Sequence, residues 1–389
     1  MNLPVYLDNH ATTPLDERVL EAMLPYFKER FGNASSKEHS YGWFADEAVK
    51  NAREIIAGFI GAMPEEIIFT SGSTESNNMV IFGLAENYGN SKNHIITTPI
   101  EHPSVLEPLK VLQKKGFSIT QLNVDKYGLV NPEELNSVIT GKTLLVSVMT
   151  ANNEIGTIEP IREIGRICKE KNVFLHTDAA QAIGKVNFNV IDLNINLASF
   201  SAHKNYGPKG IGVVFIKKKN PKISLSPIIF GGGQENKLRS GTLNVPGIVG
   251  FGKAIEISEI EIKEEVKRIK YLRDKLFNGI ISKVDGINLN GHPESRLVNN
   301  LSLSFGNINF DSLILQLRDI AFSTGSACSS GDVEPSHVLK AIGVKKELIH
   351  STIRFGLGRF TTEEEIDYCV DKIVGSIKKV KKENLIYSN

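Results

Sequence analysis

Along the chain, short apolar runs rich in β-branched and aromatic residues alternate with longer stretches of helical period. That alternation is the signature of an α/β fold built on a largely parallel sheet. Strands are expected at 67–69, 94–98, 144–149, 173–176, 197–200 and 211–215, each bounded by turn residues. Helices are expected between them, at 47–60, 103–115, 132–139 and 160–171. Several of these open on proline, whose missing amide hydrogen costs nothing in a first turn. A long charged helix at 250–281 reads as a spine leading to a second domain in the C-terminal third. Beyond it come an apolar run at 300–305, a Ser/Gly-rich loop at 323–332 and a last helix from 362 to 380.

Composition narrows the class. The 389 residues hold 45 basic and 44 acidic side chains, a formal net charge of +1, and 41% hydrophobic residues. A charge this close to zero supplies no field for sequence-independent binding to nucleic acid or to an anionic membrane. Small-molecule chemistry moves forward instead. No run of 18 apolar residues occurs, so no membrane span is expected. Asp8 and two prolines interrupt the first 14 residues, where a secretory signal needs an unbroken apolar core. The cysteines, Cys168, Cys328 and Cys369, form no CxxC pair and no disulfide framework, which fits a reducing cytoplasm.

Six segments fall after expected strands or in glycine-rich loops, where α/β proteins build their sites. Thr70-Ser71-Gly72-Ser73-Thr74-Glu75-Ser76 follows the strand at 67–69 and opens a helix through Val80, Phe82 and Leu84. Free amides, hydroxyls and the positive helix end make this an anion cup suited to a phosphate. It lacks the lysine of a nucleotide-triphosphate loop, and ordinary capping by serine or threonine explains the same residues. Asp178 ends the run through His176, as either a helix cap or a site carboxylate. His176 and Asp178 alone, without a third ligand, make a poor metal site.

Lys204, in Ser201-Ala202-His203-Lys204, follows the strand at 197–200. Desolvation there would lower its pKa and free the amine for a Schiff base; a lysine that snorkels out to solvent is the alternative. Pro103 forces His102 into an extended conformation at the sheet's edge, where it is a capping or an active-site histidine. Asn153, in Asn152-Asn153-Glu154-Ile155-Gly156, lies in a turn that could offer amides to a polar ring substituent. Cys168 and Cys369 sit on helical apolar patterns and read as packing thiols. Cys328 lies instead among Ser323-Thr324-Gly325-Ser326-Ala327 and Ser329-Ser330-Gly331-Asp332, where small residues suit a nucleophile that must travel. A tolerated surface cysteine would look the same.

Together these segments resemble the pyridoxal-phosphate cysteine desulfurases of the iron-sulfur cluster assembly and nitrogen-fixation type, within the class-V aminotransferases. The resemblance runs from Tyr6-Leu7-Asp8-Asn9-His10-Ala11-Thr12-Thr13-Pro14 through the six segments to Gly231-Gly232-Gly233-Gln234-Glu235 and Arg239-Ser240-Gly241-Thr242. It closes with Ser351-Thr352-Ile353-Arg354-Phe355 and Gly358-Arg359-Phe360-Thr361-Thr362. So many segments in one order make the match specific. It implies the fold type I of pyridoxal-phosphate-dependent transferases: a large domain over 15–255 and a smaller α/β domain from 1–14 with 256–389, carrying the cysteine loop.

The resemblance also implies roles. Lys204 would attach pyridoxal 5'-phosphate, Asp178 would keep its pyridine nitrogen protonated, and His102 would stack on the ring as an acid/base. Ser73, Thr74, Ser201 and His203 would hold the phosphate, with Thr242 reaching in from a neighbouring subunit. Asn153 and Gln181 would bind near the ring oxygen, Asn153 would also face the substrate, and Arg354 would fork onto the substrate carboxylate. Cys328 would take sulfur from L-cysteine as a persulfide, leaving alanine, and pass it to an acceptor such as an iron-sulfur scaffold. An aminotransferase or selenocysteine lyase of the same fold would keep Lys204 and Asp178 but needs no enzyme thiol. A catalytically idle scaffold of cluster assembly need not keep the lysine, aspartate, histidine and cysteine together. Housekeeping members carry a further C-terminal segment that docks the scaffold, whereas this sequence stops at Asn389, and Asn9-His10 looks closer to the nitrogen-fixation branch. No direct nucleic-acid or membrane partner is expected.

Overall fold

The computed structural model describes residues 3–325 and 335–387. Its centre is a seven-stranded sheet in the order Ile67–Thr70, Gly212–Ile216, Leu197–Ser201, Phe174–Asp178, Thr143–Ser147, His94–Thr97, Ser118–Gln121. Gly212–Ile216 runs antiparallel to both its neighbours, and the remaining pairs are parallel. Successive residues of the central strands enter two different cores. Ile67 and Phe69 pack on one face with Val146, Leu175 and Phe200, whereas Ile68 packs on the other with Leu145, Val214 and Ile216. A strand buried on both faces has no polar positions to spare, which is why these segments read as continuous apolar runs.

The expected strands all form, displaced by one or two residues at their ends. Two helices begin earlier than their apolar period indicates. The first runs over Ser40–Ile60, capped by His39. The long helix runs over Val245–Ile281, with Asn244 capping the amide of Gly247 and Pro246 in its first turn. Both early starts lie where capping, not apolar periodicity, sets the boundary.

A second, antiparallel sheet has the order Ser323–Thr324, Thr352–Gly356, Asn300–Phe305, Ile287–Asn290. Val5 and Leu7, at the start of the chain, share its core with Leu276 of the long helix, Phe355, and Ile373 of the last helix, Glu363–Tyr387. Asp8 bridges to Gly356, so residues 8–12 are led from this small sheet toward the C-terminal ends of the parallel strands. Cys168 and Cys369 are buried in separate cores, and burial pushes each thiol up to about 12. Among the described residues no helix is long and apolar enough to cross a membrane.

Candidate active site

A cavity of about 650 Å³ opens at the C-terminal ends of the parallel strands, the usual place for a site in such a sheet. Ser73, Thr74, His102, Asn153, Asp178, Gln181, Ser201, His203, Lys204 and Arg354 all line it. Thr242 does not; it is exposed on this chain. Cys328 lies outside the described residues.

At one end the 16-residue helix Ser73–Tyr88 points its N-terminus into the cavity. No side chain caps it: its cap is Gly72, and Ser73 Oγ is buried without a partner. Gly72 has a φ of 152°, and a Cβ on facing Gly212 would come within 2.5 Å of the Gly72 Cα. Only glycines let the two backbones close to this distance, and the helix amides are left for an anion. Ser201 and His203 join the same wall; burial first, then the charge of Lys204, pushes the His203 imidazole down to about 4.

Lys204 follows strand Leu197–Ser201 in a single tight turn. Its Nζ donates to the carbonyls of His10 at 2.6 Å and Ala11 at 2.7 Å. Burial, reinforced by the charge of Arg354, lowers the amine to about 8. Asp178 ends strand Phe174–Asp178, and its Oδ1 accepts from the amide of Ala180 while Oδ2 accepts from Asn77 Nδ2. Asn77 and Ser104 join the site with no motif in the sequence to mark either. Asn77 Nδ2 also donates to Ser104 Oγ at 2.8 Å, and that hydroxyl lies 2.8 Å from His102 Nδ1. His102, Ser104, Asn77 and Asp178 thus form one polar chain.

His102 both caps its helix and lines the cavity. Its Nδ1 accepts from the Ser104 amide at 3.1 Å, so the ring proton sits on Nε2. Burial holds this imidazole below its ordinary value, keeping it neutral with an N–H to give. His176 stands apart, bracketed by the hydroxyls of Ser147 and Ser199 and pushed down to about 4 by burial.

The opposite end is built from the small sheet and the start of the chain. Arg354 Nη2 donates to Asp8 Oδ1 at 2.9 Å and to Ser323 Oγ at 2.7 Å, and Nη1 donates to the Asn153 carbonyl. Its Nε is buried and unpartnered. Gln181 is occupied: Nε2 donates to the His10 carbonyl, and Oε1 faces His10 Nδ1 at 3.0 Å and Lys185 Nζ at 3.3 Å. One Nε2 hydrogen is thus held by the N-terminal segment, and Gln181 lines the cavity with the other still to give. A second cavity of about 410 Å³ shares His102, Asn153 and Arg354 with the first and is lined by Ser323, Gly325, Pro335 and His337.

The family model of class-V aminotransferases matches residues 5–369. The chain belongs to the class-V aminotransferase family. Within that family it is 53% identical over 382 residues to the cysteine desulfurase IscS of Rickettsia typhi, covering 98% of this chain and 93% of the relative. Its identity to the corresponding protein of Rickettsia prowazekii is 52% over the same span. Among solved structures, a NifS-like protein superposes with a TM-score of 0.89 at 43% identity, over 96% of this chain and 99% of that one. A protein solved as SspA in complex with cysteine superposes at 0.82 and 37% identity, over 92% and 100%.

Proposed function

We propose that the chain is a cysteine desulfurase, converting L-cysteine to L-alanine and keeping the sulfur as a persulfide on Cys328. The observation that carries this reading is the meeting of Lys204, Asp178, His102 and Arg354 on one cavity, in a chain 53% identical to a desulfurase.

Pyridoxal 5'-phosphate fits the residues present. A phosphate matches the uncapped helix end and the unpartnered Ser73 hydroxyl, a buried amine stands ready in Lys204, and a carboxylate stands ready in Asp178. When bound, the group supplies an electron sink for charge developing at the substrate α-carbon. Thr74, Ser201 and His203 would complete the phosphate wall, and Asn153 would lie by the ring and the substrate. Asn77 and the Ala180 amide fix the Asp178 carboxylate, which would meet the ring nitrogen and keep it protonated. Gln181, fixed by its bonds to His10, would offer its second Nε2 hydrogen to the ring oxygen.

Lys204, lowered to about 8, is the base that can both attach the cofactor and, once released, carry the α-proton. His102, neutral and bearing its proton on Nε2, is placed to give a proton at the sulfur side, since it lines both cavities. Arg354 receives the carboxylate. The Cys328 thiolate attacks the substrate sulfur; the new S–S bond forms as the C–S bond breaks, and the carbon side gains the proton that makes alanine. Cysteine plus thiol gives alanine plus persulfide, so no outside oxidant is required.

We further place the division between domains at 15–255 against 1–14 with 256–389, and assign the working unit as a homodimer in which Thr242 completes the partner's phosphate wall. Exposed Phe27, Phe31, Trp43 and Phe44 supply apolar surface for the pairing. The enzyme would act in the cytoplasm and pass sulfur to an acceptor protein such as an iron-sulfur scaffold. The test is incubation of the pyridoxal-phosphate-loaded protein with L-cysteine. Equimolar alanine and a persulfide mapped by mass to Cys328 are expected, with neither from Cys328→Ser. Alanine released by that variant at the parental rate would sink the mechanism.

A further inference from the structure

The turn that carries Asn153 is satisfied from two sides. Asn152 Oδ1 accepts from the amides of Glu154 at 2.8 Å and Ile155 at 2.9 Å, and Asn152 Nδ2 donates to the Ile100 carbonyl. Those amides are spent inside the turn. Its carbonyls are held from outside. Arg354 Nη1 donates to the carbonyl of Asn153 at 3.1 Å, and Asn300 Nδ2 to that of Glu154 at 3.2 Å. Arg296 Nη2 donates to the carbonyl of Ile155 at 2.8 Å, and the Leu297 amide to that of Gly156 at 2.8 Å. Ser336 Oγ adds a bond to the Glu154 carboxylate. Every one of these donors comes from residues 296–354, around the small sheet, whereas the turn itself follows strand Thr143–Ser147 of the large one.

Packing repeats the tie. Gly156 has a φ of 75°, and a Cβ there would come within 2.5 Å of the Asn300 side chain. The left-handed backbone and the close approach both require glycine. Arg296 is only 4% exposed, and its partners are the carbonyls of Ile155 and Asn290 and the Asn300 Oδ1, with no carboxylate among them. Its Nε and Nη1 are buried without a partner, so Nη2 alone makes these contacts. Burial, then the charge of Arg273, lowers the guanidinium to about 9. A cation is costly to bury in this way, and the backbone of the turn is what it holds.

The strand that begins at Asn300 reaches the site by a second route. It pairs with the strand of Arg354, Asn300 opposite Gly356 and Ser302 opposite Arg354. Asn153 and Arg354 each line both cavities. One strand therefore sets the arginine fork through the sheet and the Asn153 turn through side-chain bonds.

We propose that Asn300 and Arg296 are positioning residues for Asn153, tying its turn to the strand that also sets Arg354 so that the two keep one spacing. The proposal rests on the desulfurase reading, in which Asn153 faces the ring and the substrate. Asn300 and Arg296 line neither cavity and act only through the turn.

A paired comparison separates this role from a general loss of stability. Asn300→Asp is close to isosteric, removes the donor to Glu154 and leaves beside Arg296 an oxygen that a cation suits. In the pyridoxal-phosphate-loaded protein it is expected to keep the visible absorbance of lysine-linked cofactor and to raise KM for L-cysteine about fivefold, the worth of one hydrogen bond. Made in an Asn153→Ala protein, the same change should raise KM by less than about twofold, because the side chain it positions is gone. Arg296→Lys, which trades the fork for a single donor, should show the same coupling and carries the test if Asn300→Asp does not fold. An equal rise in both backgrounds, or no rise in the parent background, overturns the proposal. Alanine release by the parent protein keeps the two claims apart. Its absence fells the desulfurase reading; a working parent with uncoupled substitutions removes only the role of Asn300 and Arg296.

Discussion

The two ends of the cavity are built in different ways. The proposed cofactor end, with Ser73, Thr74, Asp178, Ser201, His203 and Lys204, comes from the ends of three strands of the central sheet, Ile67–Thr70, Phe174–Asp178 and Leu197–Ser201, and the turns that follow them. Each residue there is placed by its own strand. The substrate end, with Asp8, His10, Ser323 and Arg354, joins the start of the chain to a separate antiparallel sheet, across sequence separations of more than 300 residues. The first end is a property of local segments, and the second exists only once both sheets are in place.

Removing a cofactor-end group should abolish chemistry, whereas changes at the substrate end should scale affinity. The largest effect is expected from Lys204→Ala, which should lose both the visible absorbance of lysine-linked pyridoxal phosphate and all alanine release; an unchanged spectrum would break the contrast at once. Arg354→Lys should keep the spectrum but raise KM for L-cysteine by about ten- to a hundredfold, because lysine cannot reproduce the planar fork.

The pH dependence of cofactor uptake links the two ends. With the Lys204 amine at about 8, its neutral fraction rises tenfold per pH unit below that value and levels above it. Reconstitution of cofactor-free protein should therefore accelerate up to pH 8 and then flatten, followed by absorbance. The Arg354 charge is the second cause of the lowered value, so Arg354→Ala should move the inflection upward. A rate still rising to pH 10 in the parent protein would mean an ordinary, solvated lysine.

The smallest effect is at Ser323. Both edges of the guanidinium that can grip a carboxylate use Nη2, whose hydrogens are taken by Asp8 and Ser323. The neutral hydroxyl yields more cheaply than the charged carboxylate. Ser323→Ala should therefore lower KM for L-cysteine by about two- to fivefold, the worth of one neutral hydrogen bond. A raised KM would make Ser323 a support for the arginine and not a placeholder.

The same contrast explains what the sequence made legible. The central strands announce themselves through apolar runs buried on both faces, and Asp178 and Lys204 follow directly from where those runs stop. Strands Ser118–Gln121 and Ile287–Asn290 were missed because they are sheet edges, part exposed, with polar residues at alternate positions. Thr352–Gly356 drew notice for Arg354 and not as a strand. Asn77 lies inside a helical stretch and Ser104 just past a proline, with nothing local to mark either as a support for Asp178 and His102. His10 reads from sequence only as a branch marker, since its contacts with Gln181 and Lys204 are tertiary facts. Gln181 is expected at the ring from sequence, and its bond to His10, 171 positions away, is one that only the tertiary structure shows.

One rival within the fold tests the central assignment directly. Lys185 is pushed even lower than Lys204, to about 7, by burial and by the Lys204 charge, but it bonds Gln181 and does not line the cavity. A low pKa alone would favour Lys185, and geometry favours Lys204. Borohydride reduction of the pyridoxal-phosphate-loaded protein, followed by peptide mass mapping, decides between them. Label on Lys204 alone is the predicted result; label on Lys185, with Lys204 unmodified, would contradict the account.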